Sequence, residues 1–164
     1  MAKSLRDFMN LVVSEVAEKA AEAITDDVKR AGPYWTGDFE KAWVVRPGNV
    51  DITKEGSGRD LTEGIPPRQS PNYTKAAIPF VKPAPKAVLT IGNTSPYREI
   101  AMDLLPEKPR VLRKDGSQKN ITADPDWYVK YAQTGGLKKS AERGIAEAAK
   151  NPKLINFKGE VKVT

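Results

Sequence analysis

From Ser4 to Ala31 the apolar side chains Leu5, Phe8, Met9, Val12, Val16, Ala20, Ile24 and Val28 return at three- and four-residue steps. Arg6, Asp7, Asn10, Ser14, Glu15, Glu18, Lys19, Glu22, Asp26 and Lys29 occupy the other faces. This is a helical period sustained for about seven turns, and it fixes the longest element of the fold. Ser4 with Asp7 three residues on predicts a capping box that uses Asp in place of Glu. Gly32-Pro33 predicts the stop. The stripe drifts in phase and Ala fills many inward positions, which argues against a coiled-coil stem and for a helix that covers a sheet.

After the stop comes Tyr34-Trp35-Thr36-Gly37-Asp38-Phe39-Glu40-Lys41-Ala42-Trp43. Thr36 is placed to cap a short helix whose inner face is Phe39, Ala42 and Trp43, and Gly37 in its first turn permits close backbone approach. Val44-Val45 then open a strand. Two Trp so close together mark either a core cluster or an interface anchor. Trp35, Phe39 and Trp43 are assigned to anchoring the body, with an interface pocket the alternative for Trp35, and Tyr97 to packing against them.

Residues 46–86 change character. They hold seven of the thirteen Pro and four of the twelve Gly, with seven basic side chains against four acidic. Val50–Thr53 with the turn at Lys54–Gly58 predicts a small hairpin, and the rest reads as an extended arm, far longer than an ordinary connection. Such an arm is expected to lie on a neighbouring subunit. Ala87–Asn93 has the composition of a buried strand. Ser95 and Pro96 then suit a helix start, with Tyr97, Ile100, Ala101 and Leu104 on its inner side. Lys114-Asp115-Gly116-Ser117 is a turn signal inside an exposed hairpin at Arg110–Lys119. Asp124-Pro125 opens a last helical pattern with Trp127, Tyr128, Tyr131, Leu137, Ala141, Ile145 and Ala148 inward. Gly135-Gly136 interrupts it, as a kink or as a break between two helices. Residues 153–164 alternate as a terminal strand suited to a free sheet edge. The expected fold is α+β, a single domain over 1–164. Its long N-terminal helix packs on a small, mostly antiparallel sheet, with the arm at 46–86 and a C-terminal strand or tail at 153–164.

The chain has 164 residues, a formal net charge of +6, no His and no Cys. An imidazole base, a thiolate nucleophile, a Cys/His zinc site and a disulfide framework are all excluded. Of the carboxylate pairs Asp26-Asp27, Asp60/Glu63 and Asp124/Asp126, the first is explained by a polar helix face and the last by a helix start. Gly135-Gly136-Leu137-Lys138-Lys139-Ser140 lacks the spacing of a phosphate-binding loop. No enzyme activity, cofactor or metal is expected. No apolar run approaches the roughly 18 residues of a membrane span, and the first residues lack a signal-peptide core, so the expected setting is a cytoplasm or a particle assembled there.

The positive excess falls on the arm, on 107–119 and on 124–164, while residues 1–31 carry five positive and six negative charges. Arg59, Arg68, Lys75 and Lys82, with Arg110, Arg113 and Lys114, are therefore the candidates for contact with a neighbouring subunit or with DNA. Non-specific DNA binding by these basic loops is the alternative function; no recognition motif accompanies them.

Trp35-Thr36-Gly37-Asp38-Phe39-Glu40-Lys41-Ala42-Trp43 after a long helix resembles the Thr-Gly-x-hydrophobic signature of a tailed-bacteriophage family of tail-component, tail-completion and neck proteins. Ile91-Gly92-Asn93-Thr94-Ser95-Pro96-Tyr97 resembles its strand leading to Pro-Tyr and a short helix. The match covers roughly residues 5–104. It departs from the family at Ala42, where Ser is common, and after Tyr97, where Arg98-Glu99-Ile100 replaces Glu-x-Gly. The resemblance implies a virion protein that forms a ring, commonly of six or twelve copies, between the head portal or connector and the tail tube or terminator proteins. Backbone contact with packaged DNA would fall to the basic loops.

Overall fold

The structure is a computed structural model that describes residues 4–34, 37–55, 69–79, 86, 88–96, 98–102 and 127–151. Helix α1 (Leu5–Ala31) has the bounds its periodicity predicts. The Ser4 hydroxyl accepts the Asp7 N–H at 3.1 Å, and the Asp7 carboxylate accepts the Ser4 N–H at 3.1 Å. A cap of this kind contributes about 1 kcal/mol. At the other end the Gly32 N–H reaches the Val28 carbonyl at 3.0 Å, and Pro33 cannot continue the ladder.

Helix α2 (Asp38–Lys41) is one turn, and strand β1 (Trp43–Pro47) follows it. β1 pairs antiparallel with β2 (Leu89–Asn93), with Trp43 opposite Asn93, Val45 opposite Ile91 and Pro47 opposite Leu89. Among the described residues the sheet has these two strands. The hairpin predicted from Val50 is replaced by a 3-10 turn at Ile52–Glu55. The chain curls there because Ile52 buries itself against β2: a Cβ on Gly92 would stand only 3.1 Å from Ile52 Cδ1. Arg46 and Glu55 close the curl with an ion pair at 2.5 Å.

The last helical pattern is two helices, α4 (Trp127–Gln133) and α5 (Gly136–Ala149), separated at Gly135; among the described residues between β2 and α4 is the one-turn helix α3 (Arg98–Ala101). α5 runs antiparallel to α1: Ser140 and Arg143 meet Asp27, and Asn151 beyond its end meets Glu15. The sequence predicts α1 over a sheet; α1 does touch β1 and β2, but its main partner is α5. Two strands are about 5 Å apart, and a helix of 27 residues is about 40 Å long, so this sheet covers only part of it. Ile145, expected inward, is exposed; Ser140, Gly144 and Ala148 are buried instead. Small side chains let the two helix backbones approach closely, and a branched residue on that seam would hold them apart.

The core joins Val28 of α1 with Phe39, Trp43, Met102 and Trp127. Phe39 stands edge-on to Trp43 at 6.0 Å and to Trp127 at 6.3 Å, and Trp127 edge-on to Tyr128 at 5.6 Å. Edge-to-face pairs of this kind add about 0.5–1.5 kcal/mol each beyond the area they bury.

Candidate functional site

The two segments that carry the resemblance meet in space. Gly37 takes the left-handed conformation, φ 87°, that opens α2, where a Cβ would also stand 3.0 Å from the Tyr34 hydroxyl. One turn later the helix ends with carbonyls that need donors. Asn93 supplies one: its Nδ2 donates to the Phe39 carbonyl at 2.8 Å, while its Oδ1 accepts the Ser95 N–H at 2.9 Å. Thr94 supplies two more, its N–H at 2.9 Å and its hydroxyl at 3.2 Å, both to the Ala42 carbonyl. The Arg98 N–H then starts α3 by bonding the Ser95 carbonyl at 3.1 Å, two residues later than Pro96 predicts. Trp127 Nε1 donates to the Ala101 carbonyl at that turn's end, at 2.8 Å.

No protein-family model, curated protein or solved structure matches the chain.

Of the residues singled out by sequence, Phe39 and Trp43 lie in the core and Gly37 at the α2 start. Trp35, Thr36 and Tyr97 lie outside the described residues, as do Arg59, Arg68, Lys82, Arg110, Arg113 and Lys114, the hairpin at 110–119 and the strand at 153–164. Lys75 is exposed. It sits in residues 69–79, an extended strap, and this part of the arm lies against the chain's own body.

A buried ion pair holds the strap. Lys29 Nζ stands 3.2 Å from Glu40 Oε1, with side-chain exposures of 4% and 0%. Glu40 Oε1 also accepts the Thr74 N–H at 2.9 Å and the Thr74 hydroxyl at 3.0 Å, and Lys29 donates to the Thr74 carbonyl at 3.1 Å. Asp26 accepts the Ala76 N–H at 3.2 Å, and Tyr73 stacks edge-on to Tyr34 at 5.5 Å. Neither Lys29 nor Glu40 stands out in the sequence as more than a charged helix residue. Their one mark is a placement next to inward positions, Val28 and Phe39.

A second polar cluster pins α5 to α1. The Ser140 hydroxyl lies 2.5 Å from Asp27 Oδ2 and 2.9 Å from the Gly136 carbonyl, and Tyr131 lies 2.5 Å from Ser140 Oγ. One hydroxyl hydrogen cannot serve both acceptors. The carboxylate takes it, being charged and nearer, and Tyr131 then donates to Ser140. Arg143 Nη2 closes the cluster on Asp27 Oδ1 at 2.8 Å. A Tyr-Ser-Asp chain invites a catalytic reading, but Ser140 is buried under α1. No substrate reaches that oxygen, and the cluster's work is to fix the helix crossing. Among the described residues no group of three or more carboxylates can hold a metal ion.

Burial by itself raises the Asp27 pKa. The hydrogen bonds from Arg143 and Ser140 and the charges of Arg143 and Arg30 outweigh it and hold the carboxyl below its ordinary value of 3.8. A carboxyl depressed on folding contributes stability that is complete above its unfolded pKa and is lost as pH falls through the folded one. Asp27→Asn is therefore expected to lower stability at neutral pH and to flatten the decline below about pH 4. Urea unfolding at several pH values checks this: parallel pH curves for the two proteins would show that Asp27 does not report the crossing.

Proposed function

We propose that this chain is a structural subunit of a tailed-bacteriophage neck or tail, one of a ring of identical copies that joins the head portal to the tail tube. The observation that carries the reading is the junction of Gly37–Trp43 with Ile91–Pro96. Asn93 and Thr94 tie the end of the first segment to the second through Phe39 and Ala42. The described residues of the two segments thus form one hydrogen-bonded unit.

The surface suits a component that packs against copies. Near the start of α1, Leu5 and Met9 are 50% and 52% exposed. No helix among the described residues is long and apolar enough to cross a membrane. In this reading the α+β body is the ring wedge. The arm 46–86, apart from its residues in β1 and in the strap 69–79, and the tail 153–164 engage neighbouring copies, and the basic side chains of the arm and of 107–119 face DNA or an acidic ring. Cyclic symmetry repeats each weak contact, so modest energies per subunit sum to a firm assembly.

Native mass spectrometry of the purified protein at micromolar concentration is expected to show a closed ring of identical subunits, and purified virions are expected to contain the chain. A strict monomer that is also absent from virions overturns the proposal. Length-dependent DNA binding that weakens steeply with salt in such a monomer selects the DNA-binding alternative.

A further inference from the structure

We infer that residues 69–79 are a releasable latch, which stores the centre of the arm against its own body and opens as a unit while the helices stay folded. No residue of the strap is fully buried: 69–75 and Ala77 are exposed, and Ala76, Ile78 and Pro79 are half-buried. The strap therefore gains little from apolar burial, and it forms no sheet ladder. What fixes it is a short run of hydrogen bonds at Thr74 and Ala76, each to a charged side chain on α1 or α2, with a long bond of 3.5 Å from the Tyr34 hydroxyl to the Asn72 carbonyl and the edge-on Tyr73–Tyr34 pair beside them. Few apolar contacts and an exposed backbone are the marks of a segment that opens before the rest.

The body side is built to tolerate the opening. All of Glu40's partners crowd onto Oε1, and Oε2 is buried with no hydrogen-bond partner among the described residues. A carboxylate oxygen left dry and unpaired is costly, and so is burying an ion pair. When Thr74 lifts away, water reaches Glu40 and Lys29, and both recover hydration. That gain offsets part of what the strap's bonds contribute, so closed and open states lie close in free energy. The flanking Pro71 and Pro79 add no N–H donors that would tie the strap down elsewhere.

Hydrogen exchange on the full chain tests this. The Ala76 amide is expected to be protected, yet to exchange at least about 100-fold faster than the amides of α1 between Ala20 and Ile24, because its opening does not need global unfolding. Thr74→Pro removes both the N–H and the hydroxyl that bond Glu40 and leaves every residue of the body in place. It is expected to speed exchange at Ala76 by about tenfold or more, the loss of bonds to a charged group, and to free the backbone after the already exposed Lys75 for cleavage by trypsin, with the melting temperature unchanged. Thr74→Ala, which removes only the hydroxyl bonds, is expected to do the same more weakly. Ala76 exchange that tracks the middle of α1 overturns the latch. So does a Thr74→Pro protein whose helices melt together with the strap.

Discussion

Replacing Gly144 by valine is expected to lower stability by about 3 kcal/mol or more, at the upper end of what overpacking costs. Gly144 sits mid-helix, where a Gly is about 1 kcal/mol worse than Ala, so propensity alone predicts that any side chain there would help. The crossing with α1 decides otherwise. A Cβ at 144 would stand 2.6 Å from Ala20 Cα and 2.6 Å from the Lys19 carbonyl carbon. Both are backbone atoms and neither can rotate away. α5 must then move off α1, which loosens the buried contacts of Ser140 and Ala148 and pulls Arg143 and Ser140 from Asp27. Gly144→Ala sets the two effects against each other directly. The clash is expected to win, with a net loss of about 1–2 kcal/mol, or several degrees in melting temperature for a chain of this size. Thermal unfolding followed by circular dichroism measures it. A Gly144→Ala protein that melts higher than the parent would mean that the helices stand further apart than this crossing places them.

The contrast between α1 and α5 shows how much of the fold can be read from the residues. α1 is legible to the residue because its start, stop and inner stripe are all local: Ser4 with Asp7, Gly32-Pro33, and a regular apolar period. α5 is legible as a helix, but its buried face is not read correctly by counting large apolar residues. Ser140, Gly144 and Ala148 recur at four-residue steps, and that spacing of small side chains was the available signal. It carries no hydrophobic weight, so apolar periodicity favours Ile145 instead. The hairpin at Val50 failed for a tertiary reason, since only the β1–β2 pairing places Gly92 where Ile52 can cover it. At the candidate site, Gly37, Phe39 and Trp43 were read from local pattern. Asn93 could have been suspected as an amide ending an apolar strand. The Lys29–Glu40–Thr74 contact could not, because it joins three segments through charged side chains that composition assigns to the surface.

Trp43 and Trp127 give the other large effect, and the comparison between them separates packing from hydrogen bonding. Both are nearly fully buried and both flank Phe39. Truncating either to Ala is expected to cost about 3–5 kcal/mol. At roughly 2–4 °C per kcal/mol, that is a loss of about 6–20 °C. Phenylalanine keeps most of the ring and tests the nitrogen. Trp127 Nε1 donates to the Ala101 carbonyl at 2.8 Å, so Trp127→Phe leaves an acceptor without its donor. Trp43 Nε1 is buried with no acceptor among the described residues, so Trp43→Phe removes a donor that was already a liability. The lost ring area is similar in the two proteins, whereas the polar terms have opposite sign. Trp127→Phe is therefore expected to cost about 1–2 kcal/mol more than Trp43→Phe. Urea unfolding with matched m-values is the measurement. Equal costs would show that the Trp43 nitrogen is satisfied in solution. A Trp43→Ala protein that melts with the parent would remove Trp43 from the core, and with it the aromatic chain through Phe39 that couples β1 to α4.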